Sequence, residues 1–202
     1  MLDSIPRVTR NLLIVNIIFF VATLVNREFM IMTFALFDPS TPFFRVWQIV
    51  TYMFMHDGFM HIFFNMYALV MFGGMVERMI GEKKFLLFYF LCGFGAVLLH
   101  LGITVVTGGA VAPMLGASGA IYGLLLAYGM LFPESRLTLI FPPITLTAKW
   151  WVVIWAGLEL LTGVTGTMSG VAHFAHLGGM LVGFLLILYW RKKGTLFNRE
   201  NF

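Results

Sequence analysis

The stretch "PMLGASGAIYG", Pro113 to Gly123, holds a glycine-flanked serine, Ser118, in the pattern of a nucleophile site. A serine hydroxyl is inert until a base takes its proton, so this reading requires an imidazole within reach. "AHFAHLGG", Ala172 to Gly179, supplies His173 and His176. "HDGFMHIFFNMY" supplies His56, His61 and Asn65, and His61 and Asn65 are four apart, on one helix face. Ser118 and Tyr122 share a face in the same way. A hydroxyl and an imidazole, once brought together, perform acyl transfer. The surroundings argue against it, because Ser118 opens one of the most apolar segments of the chain and hydrolysis needs water.

The whole chain is apolar. Of its 202 residues 60% are hydrophobic and 11% charged, with a mean hydropathy of +0.92. A soluble domain of this length has no use for so much apolar surface. The composition predicts one polytopic membrane domain over residues 1–202, with too little polar sequence for a second, soluble one. The single cysteine, Cys92, excludes an intrachain disulfide and reads as a small buried hydrophobe. A net charge of +4 is explained by membrane topology and implies no nucleic-acid partner. The N-terminal apolar stretch has no small-x-small cleavage site after it, so it reads as a retained first span.

Six spans are predicted, at about 11–31, 57–77, 83–106, 116–132, 148–165 and 171–190. The aromatic segment between the first two is too interrupted to span and reads as an interfacial first outer loop. "GGAVAPMLG", before Ser118, reads as a re-entrant loop leading into a short fourth helix; such backbone is tolerated at membrane depth when it lines a wet cavity. With the N-terminus inside, the inner segments hold Arg7, Arg10, Arg78, Lys83, Lys84, Arg136, Lys149, Arg191, Lys192, Lys193 and Arg199. The outer ones hold only Arg27 and Arg45. This asymmetry predicts a cytoplasmic N-tail (1–10) and a cytoplasmic C-tail (191–202).

On that topology spans two, four and six all start at the outer side. Counting helical rise from their inner ends puts His61 at ~24 Å, and Ser118 and His176 at ~22 Å. In a core about 30 Å thick, these lie in one layer several ångströms below the outer surface. Gly119-x-x-x-Gly123 and Gly179-x-x-x-Gly183 are stripes that let membrane helices approach closely. If they meet, Ser118 and His176 come within hydrogen-bonding distance. The N–H groups at the start of the Ser118 helix would face a developing oxyanion.

"GASG" at Gly116–Gly119, "HIFFN" at His61–Asn65, "AHLGG" at Ala175–Gly179 and the six-span plan together resemble the rhomboid intramembrane serine proteases, over essentially the whole chain. The resemblance implies an all-α polytopic fold with Ser118 as nucleophile and His176 as general base. It implies an oxyanion hole of His61, Asn65 and the Ser118 N–H. Tyr122 would pack on the His176 ring, Gly116 and Gly119 would flank the serine, and Gly179 would permit close packing of spans four and six. It implies single-span membrane proteins as substrates, cut near their outer boundary, in a multi-pass protein of the bacterial inner membrane whose active site opens outward. No cofactor or metal is expected. One departure is visible: rhomboids often carry Trp-Arg in the first outer loop, where this chain has Trp47-Gln48.

Glu159 is the one carboxylate expected well inside a span. It lies ~15 Å above Lys149, somewhat below the layer, which predicts a Ser-His dyad with no orienting acid. As an intramembrane ionisable group it is still a functional candidate. His56 reads as interfacial, His173 as rim or packing, and His100 as structural. Three rival readings carry distinct signatures. A non-catalytic helix-binding relative would be expected to lose the serine or histidine. A histidine-based metal or haem protein would not need Ser118 and Asn65, and the H-E-x-x-H signature is missing. A transporter would show inverted repeats or paired broken helices.

Overall fold

The computed structural model describes residues 4–107, 112–139, 143–166 and 172–197. Each predicted span contains a helix: α1 (Arg7–Val25), the pair α4 (Phe59–Ala68) and α5 (Gly74–Ile80), α6 (Glu82–Thr107), α7 (Ser118–Leu131), α8 (Ala148–Thr165) and α9 (His173–Lys192). Two short helices, α2 (Arg27–Phe34) and α3 (Gln48–Thr51), lie in the long segment between α1 and α4. Arg7–Val25, Phe59–Ile80, Glu82–Thr107 and His173–Lys192 are long and apolar enough to cross a membrane. The α4–α5 pair runs as one unit through a wider π-type turn at Leu69–Gly73. α7 has 14 residues and is too short to cross alone; α8 has 18, interrupted by Glu159. Exposed Ile17, Ile18, Val21, Leu24, Val105, Val106, Leu160 and Leu161 give the bundle an apolar exterior. The chain is an integral membrane protein.

The first helix differs from the expected 11–31. It starts at Arg7 and stops at Val25, because Asn26 caps α2 by accepting from the Phe29 N–H at 3.1 Å. At its other end, the buried Glu77 carboxylate accepts from the N–H groups of Val8 (2.9 Å) and Thr9 (2.7 Å) and from the Thr9 hydroxyl (2.7 Å). An acid at a helix N-terminus satisfies orphan donors and favourably meets the dipole. A second difference lies between α7 and α8. The expected loop contains a small antiparallel hairpin, β1 (Arg136–Thr138) with β2 (Thr145–Thr147), in which Leu137 faces Leu146.

The centre of the molecule is α9 against α6 and α7, packed on glycine. A Cβ on Gly179 would sit 1.9 Å from the Gly119 carbonyl oxygen. One on Gly178 would sit 2.3 Å from that of Gly95, and one on Gly183 would sit 3.2 Å from that of Gly123. No side chain fits between these backbones, so the two stripes meet as expected.

The segment between α1 and α4 is tied down from within. Gln48 is fully buried, and its Oε1 accepts from the Arg45 N–H at 3.0 Å while its Nε2 donates to the Phe43 carbonyl at 3.2 Å. Trp47 Nε1 donates to the Thr33 carbonyl at 2.9 Å. At the one position that departs from the resemblance noted above, the glutamine pins the segment's backbone groups. Residues 108–111 of the expected re-entrant loop lie outside the described residues. Its second half pairs with the segment between α1 and α4: Met114 and Leu36 exchange N–H···O bonds of 2.8 and 2.9 Å, and the Gly116 N–H donates to the Tyr52 carbonyl at 2.9 Å.

Candidate active site

Ser118 is the first residue of α7, and His176 lies one turn into α9. The glycine contact below them sets the distance between their backbones, and Nε2 of His176 lies 2.9 Å from the Ser118 hydroxyl. The ring of His176 stacks on that of Tyr122, with centroids 4.2 Å apart and planes 8° from parallel. The stack holds the imidazole plane edge-on to the serine.

Gly116 has φ +122°, a conformation that favours glycine, and a Cβ there would lie 2.8 Å from Nε2 of His61. The absence of a side chain at 116 therefore lets the His61 imidazole approach the serine turn. The Asp57 N–H points to Nδ1 of His61 at 3.4 Å, which assigns the ring proton to Nε2, on the side of the serine. Asn65 Nδ2 donates one proton to the His61 carbonyl at 2.8 Å and has a second to give. His61 lies against the Gly116 turn, Asn65 lines the same cavity as Ser118, and the Ser118 N–H stands at the start of α7, where backbone donors have no partner within the helix.

Ser118, Asn65 and Tyr122 line a cavity of about 690 Å³ between α4, α7 and α8. Its other walls are mostly apolar, among them Phe64, Met71, Ile121, Trp151 and Trp155. The hydroxyl thus borders a space with room for a substrate segment.

Three expectations need correction. Glu159 is not below the layer. Its Oε1 lies 3.0 Å from Nδ1 of His176 and accepts from the Tyr122 hydroxyl, and its Oε2 lies 2.7 Å from Nδ1 of His173. An acid therefore does meet the candidate base. Helical rise measures Cα heights along an untilted axis, and the reach of a glutamate and a histidine together covers the ~7 Å discrepancy. His173 is accordingly no rim residue. It is buried, held by Glu159 and by the Thr162 hydroxyl at 3.0 Å. His56 is likewise not interfacial: it is 1% exposed, its ring edge-on to that of His61 at 4.9 Å. The signal for Glu159 was present in the sequence, since an ionisable group inside a span needs a partner, and His173 and His176 share a face three residues apart. His100 is half-buried on α6 and takes no part in the site.

Glu159, His173 and His176 also form a group of potential metal ligands, with donor atoms all within 4.8 Å of one another. Ligands of a tetrahedral zinc lie ~3.3 Å apart. The 2.7 Å between His173 Nδ1 and Glu159 Oε2 is instead a hydrogen-bond length. The donor set fits a proton between those atoms and not an ion.

Comparison with known proteins agrees with this architecture. RHOMBOID-like protein 1 of Arabidopsis thaliana is 31% identical, over 78% of this chain and 38% of that protein. The mitochondrial Presenilin-associated rhomboid-like protein of Bos taurus is 34% identical over 71% of this chain and 39% of its own length. Rhomboid protein 1, mitochondrial, of Saccharomyces cerevisiae is 33% identical over 69% and 40%. The chain thus spans about two fifths of the length of these relatives. The Rhomboid domain family matches residues 44–193, which take in His61, Asn65, Ser118, Glu159 and His176. With three quarters of its length matched by that one family, the chain belongs to the rhomboid family.

Proposed function

We propose that the protein is an intramembrane serine endopeptidase that cleaves single-span membrane proteins near their outer boundary. The observation that carries this reading is the 2.9 Å approach of Ser118 Oγ to His176 Nε2 beside a largely apolar cavity in an integral membrane protein.

The chemistry follows from the positions. Ser118 Oγ attacks the scissile carbonyl carbon and passes its proton to Nε2 of His176. Negative charge develops on the carbonyl oxygen and is met by the N–H of Ser118, Nε2–H of His61 and Nδ2–H of Asn65. The imidazolium then protonates the leaving amine, the C–N bond breaks, and an acyl-serine remains. Water, deprotonated by His176, attacks that ester, and the serine regains its proton as the acid leaves. Each hole donor acts in a site shielded from bulk water, where it is worth about 3–4 kcal/mol.

The substrate's helix must unwind locally to expose a carbonyl, because a hydrogen-bonded helix hides its backbone. Gly, Pro or polar residues near the substrate's outer end favour this. The positive-inside asymmetry supports cytoplasmic termini and a site that opens outward, and the reading places the protein in a bacterial inner membrane.

The test is cleavage of a single-span reporter in proteoliposomes, wild type beside Ser118→Ala and His176→Ala, with fluorophosphonate labelling in parallel. Wild type is expected to cut and to label, and both variants to lose activity by 10³-fold or more. A folded wild type that neither cuts nor labels overturns the reading and favours a non-catalytic helix-binding protein.

A further inference from the structure

Proton transfer from Ser118 requires that Nε2 of His176 carry a lone pair, which places the ring proton on Nδ1. A proton on Nδ1 needs an acceptor, because a buried unpartnered donor is costly. Glu159 Oε1, 3.0 Å away, is the acceptor that α8 presents. Its approach is oblique, and Nδ1 has no well-aligned hydrogen-bond partner in this resting geometry. Catalytic hydrogen bonds are often poorly aligned before substrate binds and tighten when charge develops.

The carboxylate is itself held for this task. It is 6% exposed. The Tyr122 hydroxyl donates to Oε1 from α7. His173 donates from α9 to Oε2 through Nδ1 at 2.7 Å. Thr162 lies 3.0 Å from that same nitrogen, and its hydroxyl donates to the Leu158 carbonyl at 2.7 Å, so its oxygen shares the one Nδ1–H of His173 with Oε2 as a weaker, second acceptor. Three helices thus converge on one buried acid whose remaining oxygen lobe faces the base. A buried carboxylate is costly unless it is paired and hydrogen-bonded, and no other described acid contacts His176.

We propose that Glu159 is the positioning residue of this site: it selects the Nδ1–H tautomer of His176 and meets the imidazolium that forms when Ser118 attacks, so that the reacting unit is Ser118–His176–Glu159 and not a dyad. Tyr122 and His173 hold the carboxylate in place. The inference rests on the serine-protease reading above. Because Glu159 lies on α8 while the other members lie on α7 and α9, the base is complete only when α8 is docked against both.

The experiment compares wild type with Glu159→Gln and Glu159→Asp in proteoliposomes and reads kcat, KM and the pH profile of kcat/KM. The titratable groups facing His176 are Glu159 on α8, Tyr122 on α7, His173 on α9 and His61 on α4. Removing the one acid among them makes the imidazolium harder to form. Glu159→Gln is therefore expected to lower kcat about 10²-fold with KM within about twofold, and to move the acidic limb of the profile to lower pH. Glu159→Asp keeps the charge on a shorter arm, so it is expected to recover part of kcat and leave the acidic limb near its wild-type position. Should Glu159→Gln not fold, the kinetics of the aspartate variant and the presence of the resonance below in wild type carry the test, and a wild type without that resonance overturns the proposal. In protein labelled with ¹⁵N-histidine, a downfield Nδ1–H proton assigned to His176 by its loss in His176→Ala is expected in wild type and not in Glu159→Gln.

Unchanged kcat and pH profile in a folded Glu159→Gln overturn the proposal while leaving the protease reading intact. A wild type that shows the resonance but neither labels nor cuts overturns the protease reading instead, and the catalytic role of Glu159 with it. Stoichiometric zinc in wild type that is lost with Glu159→Gln overturns the proposal in favour of a metal site.

Discussion

At the scale of the residue, the candidate oxyanion hole depends on the absence of a side chain at position 116. His61 reaches the serine turn because Gly116 leaves room for its ring. His61→Ala is expected to lower kcat by about 10²-fold, with KM and the thermal unfolding midpoint little changed, since the lost donor acts on charge that exists only in the transition state. Reporter kinetics in detergent check this, and a rise in KM at constant kcat would contradict it. His56, behind His61, makes a different prediction. Burial, with His61 beside it, pushes its imidazole down to about 3. The unfolded chain takes up that proton near pH 6.5, and the folded one does not until far lower. The contribution of His56 is therefore fully present above about pH 6.5 and declines as pH falls toward 3. Unfolding midpoints are expected to drop between pH 7 and 4.5, and less steeply in His56→Gln.

At the scale of the element, what was legible in the sequence followed from spacing along single helices. Gly119, Gly123, Gly179 and Gly183 predicted the α7–α9 contact because small residues four apart leave only one face on which backbones can meet. The i, i+4 pairs His61/Asn65 and Ser118/Tyr122 needed nothing beyond helical period. Glu159 and His56 were misplaced because their environments are set by other elements. The side-chain hydrogen bonds of Glu159 come from α7 and α9, and buried His56 packs against the ring of His61 on α4. The break at Asn26 was misread as continuous helix, although an asparagine before an acidic first turn is a cap signal. The glycine contact can be tested directly. Gly179→Ala would place a methyl 1.9 Å from a carbonyl oxygen that is fixed in its own helix. It is expected to destabilise the fold by about 3 kcal/mol or more, read as a lowered midpoint in denaturant titration in detergent. Gly157, whose Cβ meets nothing within 4 Å, serves as the control and is expected to tolerate alanine.

At the scale of the molecule, an apolar exterior surrounds a polar site that borders a largely apolar cavity, so on the proposed protease reading discrimination between substrates falls on how readily a membrane helix opens. A run of leucines across the outer end of a reporter's span is expected to suppress cleavage at least tenfold, and a glycine pair restored at that place is expected to recover it. Undiminished cutting of the leucine substrate, measured at saturating concentration in proteoliposomes, would contradict the requirement for unwinding. The glycine contact between α7 and α9 has a consequence for the bilayer itself. Ser118 and His176 are keyed together by touching backbones, with no deformable side chain between them, so those helices must tilt as one body when the surrounding lipid becomes thinner or thicker. Acyl-chain length should then alter how a substrate enters and is aligned, and so act on KM, while the bond-breaking step proceeds between two atoms whose separation the lipid does not reach.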